Sequence, residues 1–207
     1  MINGARVSLT MGFLPTAGSL LAGMLLGALA AYRGGWIDNA VMRVCDILTC
    51  VPGILLSLTF VMILGTGLNN VLIAITVAAI PAATRYVRAV VLNIVGLDYI
   101  EAGRACGTGT FGIIRKHVLP NAFGPLLLFA TSNISAMLLM GAGLSFLGLG
   151  IQPPYPEWGS MLNEAREYVL TEPWLFLFPG VAIMISMLAF NLVGDALRDA
   201  LDPKLRR

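Results

Sequence analysis

The chain has 207 residues, of which 57% are hydrophobic and only 12% are charged. Soluble domains carry about 25% charged residues, and a small domain cannot bury this much apolar surface because much of it stays in contact with water. The composition therefore excludes an ordinary soluble protein and indicates that lipid is the solvent for much of the chain. A formal net charge of +2 is too small to indicate a nucleic-acid partner.

Five apolar stretches can each cross a membrane as a helix, which takes about 20 residues. The first has 25 residues without a charge and so exceeds the core of a signal peptide, which is roughly 7–15 residues long. The second and third are separated by the turn-forming residues 65–70. The sequence thus predicts an all-α fold, a single transmembrane helical domain over residues 1–207. The predicted spans are residues 7–31, 44–64, 70–91, 121–146 and 173–195.

The positive charges give the orientation of these spans, since Lys and Arg in short loops favour the cytoplasmic side. If the carboxyl terminus lies inside, eleven of the 13 Lys and Arg residues lie inside, and only Arg6 and Arg166 lie outside. The inside group includes Lys204, Arg206 and Arg207 of the tail. This bias predicts a cytoplasmic segment at residues 93–120 and an extracytoplasmic loop at residues 147–172. An outside amino terminus without a signal peptide suggests that a preceding helix is missing from the chain.

Few residues in the sequence are candidates for catalysis or metal binding. Cys45, Cys50 and Cys106 lack a metal-binding spacing, so we expect inert, reduced thiols, and His117 has no second histidine with which to share a metal. We expect Asp46, which borders the second span, at the membrane interface rather than in a translocation path. No catalytic residue, metal ligand or cofactor is predicted. The chain has no Gly-x-x-x-x-Gly-Lys-Ser/Thr phosphate loop, so it cannot hydrolyse ATP by that route.

Two groups of residues are open to a structural or a functional interpretation. Gly23 with Gly27, and Gly141 with Gly143, fit close helix packing or a subunit contact, and packing within one chain is the favoured interpretation. Four acids in the outer loop could form a metal or substrate cluster. We expect instead a solvated loop that meets a substrate-delivery protein or nothing at all. The four are Glu157, Glu164, Glu167 and Glu172.

The cytoplasmic segment has the features of a short surface helix. Asp98 can cap a helix that begins near Tyr99, with Glu101 in the favourable first turn. Glycines at positions 107 and 109 are expected to end it. A second helix is expected to begin near residue 111, and Pro120 is expected in the first turn of another helix, where its missing N–H costs nothing. One side of the surface helix is expected to be slim and apolar, so that a partner protein can approach the backbone. Its members are Ile100, Ala102, Gly103 and Cys106.

This segment also carries a spaced motif. The residues Glu101-Ala102-Gly103 are followed after three residues by Gly107, and nine further residues lead to His117-Val118-Leu119-Pro120. The motif resembles the signature loop of importer permeases in the ATP-binding-cassette (ABC) superfamily, which reads Glu-Ala-Ala, three residues, Gly, nine residues, Ile, one residue, Leu-Pro. The spacing matches at every step. Gly103 replaces the second alanine, and His117 replaces the isoleucine.

Further segments resemble permeases for dipeptides, oligopeptides and nickel, most closely the second permease subunit of such systems. The likeness covers nearly the whole chain, although that family carries an additional span before the Gly-Ala-Arg found here at residues 4–6. The segments that carry it are Gly4-Ala5-Arg6-Val7-Ser8-Leu9, Gly34-Gly35-Trp36-Ile37-Asp38, residues 148–154, Pro156-Glu157-Trp158-Gly159, residues 190–195 and residues 197–203.

The resemblance implies the fold of a type I ABC importer permease in the cell (inner) membrane. It implies a second permease subunit, two ATPase subunits and an extracytoplasmic solute-binding protein as partners. The segment 93–120 would then dock into a groove on the ATPase. The residues implied in this coupling are Glu101, Ala102, Gly103 and Gly107, with Leu119 and Pro120 anchoring the exit.

Two other functions are possible on the sequence. An ion-coupled secondary transporter would place ionisable residues mid-membrane and show inverted repeats, neither of which is clear here. A polytopic membrane enzyme would need a cluster of histidines, acids or a nucleophile near one face. Dipeptides, oligopeptides, nickel and glutathione all remain open as substrates, as does pairing with an identical or a different permease subunit.

Overall fold

The computed structural model describes residues 1–152 and 154–201, with the side chains of Arg104, Thr110 and Phe111 left out. The predicted tail charges Lys204, Arg206 and Arg207, and Pro153 of the resembling segment 148–154, lie outside these residues. All regular structure in the described residues is helical. The elements are α1 Ile2–Arg33, α2 Gly35–Thr49, α3 Gly53–Leu64, α4 Leu68–Val95, α5 Asp98–Ala105, α6 Thr110–Ile113, a π-helical turn Ile114–Val118, α7 Leu119–Phe146, α8 Trp158–Ala165, a 3₁₀ turn Arg166–Tyr168 and α9 Trp174–Leu201.

Four helices in the described part of the chain are long and apolar enough to cross a membrane. They are Ile2–Arg33, Leu68–Val95, Ile114–Phe146 and Trp174–Leu201. A fifth crossing is counted if α2 and α3, which are bent by 86° at a short break, form one span. The all-α, multi-span architecture expected from the sequence is confirmed.

The predicted second span differs from the structure, since the helix over residues 44–64 is broken. α2 ends at Thr49 and α3 begins at Gly53, with Pro52 as its N-cap residue in an extended conformation at φ −52° and ψ 134°. A proline also disfavours helical backbone at the residue before it, here Val51. The twelve residues of α3 rise only about 18 Å, so a crossing of the hydrocarbon, about 30 Å thick, also needs the non-helical residues 50–52 and 65–67 that flank α3.

The described residues form two compact units, each with a core of its own. One unit, which we call the motif unit, contains Leu20–Cys50 and Ile80–Phe129. It therefore holds all of residues 93–120, which carry the motif and which we call the signature segment. Its core draws on α1, α4, α5, α6, the π turn and α7. The buried members are Ala31, Val87, Val91, Ile94, Ile100, Ile113, Val118, Ala122 and Leu126.

The other unit contains Met1–Ser19, Val51–Ala79 and the chain from Ala130 onward. It has two hydrophobic clusters, the larger of which centres on Met11, Val61, Ile75 and Leu144. The smaller cluster joins α7, α8 and α9 through Leu138, Ala142, Trp158 and Ile183.

Glycines allow α1 and α4 to pack with their backbones in near contact. A Cβ atom placed on Gly23 would lie 2.8 Å from the carbonyl carbon of Ala83, and one on Gly27 would lie 2.6 Å from the carbonyl oxygen of Thr84. Side chains are therefore excluded at both positions, and the packing role predicted for this pair is confirmed. At Gly143, by contrast, the nearest such atom is the end of the Ile54 side chain at 3.9 Å.

One prediction about the outer loop is wrong. Glu157 was expected in a solvated loop, yet its side chain is fully buried. Its carboxylate accepts hydrogen bonds from the amides of Gly159 and Ser160, both at 2.8 Å, and from the hydroxyl of Ser8 at 3.1 Å. Burial of a carboxylate is possible here because Glu157 is the N-cap residue of α8 and meets the unpaired amides and the positive end of the helix dipole. Glu164, Glu167 and Glu172 are exposed as expected.

Candidate functional site

The signature segment forms a short helix, α5, that is fixed to the motif unit by one side. Ile100 is fully buried in the core of that unit, whereas Glu101 and Ala102 are exposed and Gly103 is half-buried. The predicted slim side is thus corrected: Ile100 faces the protein, and Ala102 and Cys106 face outward. One turn of α5 therefore presents a carboxylate and small residues to the surroundings.

Local interactions explain where α5 begins and where it ends. Asp98 is the first residue of the helix rather than a cap outside it, and the amide of Ile100 bonds the carbonyl of Leu97 at 2.9 Å. At the other end Gly107 has φ +78°, and the amide of Thr108 bonds the carbonyl of Gly103 at 3.0 Å. This is a Schellman termination, in which glycine adopts the left-handed conformation at no steric cost.

Gly103 and Gly107 differ in why they are glycines. A Cβ atom at either position would meet nothing within 4 Å. At Gly107 the positive φ by itself explains the glycine, because other residues adopt this backbone conformation only with strain. At Gly103, within the helix, neither the backbone nor a neighbour in the described chain requires one, and glycine costs a helix interior about 1 kcal/mol relative to alanine. Of these two glycines, Gly103 is the one whose small size is not explained by the described chain.

A π-helical turn joins α6 to α7. Helical backbone runs without a break from Thr110 to Phe146, with π geometry at Ile114–Val118. The new helix expected to begin near Pro120 is thus a continuation. Pro120 cannot donate a hydrogen bond, and its ring would clash with a carbonyl one turn earlier in a regular helix. A π turn directly before it is a known way to absorb such a residue.

The π turn and the start of α7 contain the remaining motif residues. Val118 and Ala122 are buried in the core of the motif unit, whereas Leu119 is 40% exposed and Pro120 is exposed. Within this chain the attachment is made by the two buried neighbours rather than by the Leu-Pro pair. The rings of Tyr99 and His117 lie 6.0 Å apart, so the residue that replaces the usual isoleucine contacts the first turn of α5.

Two ion pairs in the motif unit have no counterpart in the sequence predictions. Arg85 pairs with Asp46 at 2.9 Å, and Arg88 pairs with Asp38 at 2.5 Å. Arg85 also donates to the hydroxyl of Thr49 at 2.5 Å. Charges next to apolar spans require partners, and this rule could have suggested a pairing between the two acids of residues 35–49 and the two arginines of residues 70–91.

Comparison with known proteins identifies the family. Residues 23–207 match the family model described as the binding-protein-dependent transport system inner membrane component. The chain belongs to this family. The permease is 45% identical over 206 residues to a glutathione transport system permease protein, GsiD, of Pectobacterium atrosepticum. It is 46% identical over 206 residues to a di/tripeptide transport system permease protein, DppC, of Pseudomonas aeruginosa. In both cases the match covers 100% of this chain and 68% of the relative.

Solved structures show the same fold. The permease superposes on a chain of the inward-facing MetNI methionine ABC transporter with a TM-score of 0.80 at 24% identity, covering 98% of this chain and 96% of the other. A chain of an amino acid ABC transporter gives a TM-score of 0.72 at 18% identity, with 97% and 93% covered. The expected fold, that of a type I ABC importer permease, is confirmed. The family also favours the predicted importer over the alternative of an ion-coupled secondary transporter.

Proposed function

We propose that this permease couples ATP hydrolysis on separate ATPase subunits to solute passage through the docking of α5. The observation that carries the proposal is the two-sided character of this helix. Ile100 fixes it to the core of the motif unit, while Glu101, Ala102 and Gly103 present a small, acidic surface outward. A force applied to that surface would reach the ends of α1, α4 and α7 through packed side chains rather than through a flexible loop.

In this proposal the permease has no covalent chemistry of its own. It pairs with a second permease subunit, receives solute from an extracytoplasmic binding protein, and alternates between inward- and outward-facing states as two ATPase subunits open and close. Leu119 and Pro120, both exposed, would add to the docking surface at the exit from the segment. Gly107 would act mainly by setting the direction of the chain after α5.

The proposed solutes are short peptides, including glutathione, which is itself a tripeptide. Relatives that are 44–46% identical are named as transport permeases for dipeptides, di- and tripeptides, and glutathione. Uptake of a labelled dipeptide into proteoliposomes that contain the complete complex is expected to require ATP. Uptake driven by a proton or sodium gradient alone would contradict the proposal.

The docking surface can be tested by a double substitution, Glu101→Lys with Gly103→Leu. It reverses the charge and fills the open space above the helix without disturbing the backbone at Gly107, so we expect the permease to insert normally but to lose its ATPase subunits on purification. The charge-matched control is Glu164→Lys, on an exposed position of α8, which should retain them. Equal retention of the ATPases by both variants would contradict docking through α5.

The proposed orientation, with α5 and the carboxyl terminus in the cytoplasm, can be tested at a natural cysteine. Cys106 is exposed at the end of α5. In a variant that keeps only this thiol (Cys45→Ala, Cys50→Ala), a membrane-impermeant maleimide should label inverted vesicles strongly and intact cells hardly at all. Strong labelling of intact cells would reverse the orientation.

A further inference from the structure

The charged residues of α2 differ in whether they have a partner of opposite charge. The helix carries three charged residues, and both acids, Asp38 and Asp46, are paired with arginines of α4. The third, Arg43, is exposed, as is Arg33 at the end of α1. Neither has an acid within 4 Å in the described chain. The outward side of this region therefore carries two arginines, while both acids of α2 are already paired with arginines of α4.

The ion pairs also fix the position of α2 along α4. Arg85 and Arg88 follow Leu68, the first residue of α4, by 17 and 20 residues. At 1.5 Å per residue they lie about 26 and 30 Å along the helix axis. The hydrocarbon core of a bilayer is about 30 Å thick. A helix that enters the hydrocarbon near Leu68 thus leaves it where α2 is attached.

The outward stripe of α2 has the composition of a membrane interface. Trp36, Val44 and Ile47 are 82%, 56% and 63% exposed, and with Arg43 they share one side of the helix, since residues seven, eight and eleven positions apart lie close in angle. Tryptophan favours the headgroup level. The aliphatic stem of arginine can lie along acyl chains while its guanidinium reaches the headgroups. In chain order, this stripe comes after an apolar, exposed side of α1 that is formed by Leu21, Leu25 and Leu29.

We propose that α2 is an interfacial helix of the cytoplasmic leaflet, and that Arg43 and Arg33 bind the phosphate groups of anionic phospholipids there. Trp36 and Ile47 lie at the boundary between headgroups and acyl chains. The choice of anionic lipid follows from the two unpaired guanidinium groups, each of which adds to attraction toward an anionic surface. The assignment to the cytoplasmic leaflet rests on the orientation proposed above, whereas the interfacial depth rests on the ion pairs and on the length of α4 between Leu68 and Arg88.

The depth can be measured by fluorescence. The full chain is placed in phosphatidylcholine vesicles whose lipids carry bromine either near the headgroup or near the end of the acyl chain. The difference between wild type and Trp36→Phe isolates the signal of this tryptophan. Shallow bromines are expected to quench it at least twofold more strongly than deep ones. Stronger quenching by deep bromines, or protection of Trp36 from both lipid and aqueous quenchers by a protein partner, would overturn the proposal.

The lipid preference is measured with headgroup-proximal bromines on phosphatidylglycerol or on phosphatidylcholine. Brominated phosphatidylglycerol should quench Trp36 preferentially, and Arg43→Gln should reduce that preference about fivefold. The matched control is Arg166→Gln, an exposed arginine outside the motif unit, which should leave it unchanged. Equal quenching by the two lipids would overturn lipid binding by these arginines. ATPase co-purification by Arg43→Gln reports separately on the function proposed for α5.

Discussion

Replacing Gly27 by alanine is expected to destabilise the folded permease by about 2 kcal/mol. The added Cβ would lie 2.6 Å from the carbonyl oxygen of Thr84 and 2.9 Å from the amide nitrogen of Arg88. Both are backbone atoms within α4, so no side-chain rotation relieves the clash and the two helices must move apart. Thermal unfolding in detergent should show a midpoint lowered by about 5 °C.

The control for this substitution is Gly180→Ala. Gly180 also lies inside a long helix, but a Cβ there would meet only the end of the Leu162 side chain at 3.9 Å. Alanine should therefore leave the midpoint unchanged or raise it slightly, since glycine is the poorer helix former. If both variants lost the same stability, the close approach of α1 and α4 would not be the cause.

Replacing Glu157 by alanine is expected to cost about 3 kcal/mol. The substitution removes the N-cap of α8 and so leaves two buried amides without acceptors, at about 1–3 kcal/mol each before relaxation. It also frees the hydroxyl of Ser8, which links α1 to this site and accepts a bond from the amide of Trp158 at 3.0 Å. The predicted readouts are a lower thermal midpoint and faster proteolysis within residues 147–172.

Two further variants test whether the loss of stability comes from the buried hydrogen bonds of Glu157 or from removal of a negative charge. Glu164→Ala removes an exposed carboxylate from the same short helix and should change stability by no more than about 0.5 kcal/mol. Ser8→Ala removes one of the three donors to Glu157 and should cost about 1 kcal/mol. Equal midpoints for the alanine variants at 157 and 164 would mean that the buried carboxylate contributes nothing to the attachment of α8.

The signature segment could be predicted in some detail from sequence, because its determinants are local. A glycine at position 107 ends α5 since only a residue free of Cβ takes φ +78° without strain. The direction in which the helix faces was not predicted correctly. Ile100 and Ala102 are both apolar, and only the presence of α4 and α7 beside Ile100 decides that it is buried while Ala102 is exposed.

Glu157 shows that local composition does not always predict whether a side chain is exposed. Four acids among loop-like residues indicate a solvated segment on average, and three of the four are exposed. The exception arises because Ser8, 149 positions earlier in the chain, and the first turn of α8 supply three donors to one carboxylate. No local pattern records such a meeting of distant residues.

The sequence by itself determined the all-α, multi-span character of the chain and the spacing of its motif, because hydrophobic length and residue spacing are properties of contiguous residues. Only the tertiary structure decided that the predicted second span is broken between α2 and α3. It also decided that the acids of α2 pair with arginines of α4 and that Gly23 and Gly27 lie against the backbone of α4. The physical reason is the same in each case. Ion pairing, burial and close packing are interactions between segments, and their energies exist only once those segments have been brought together.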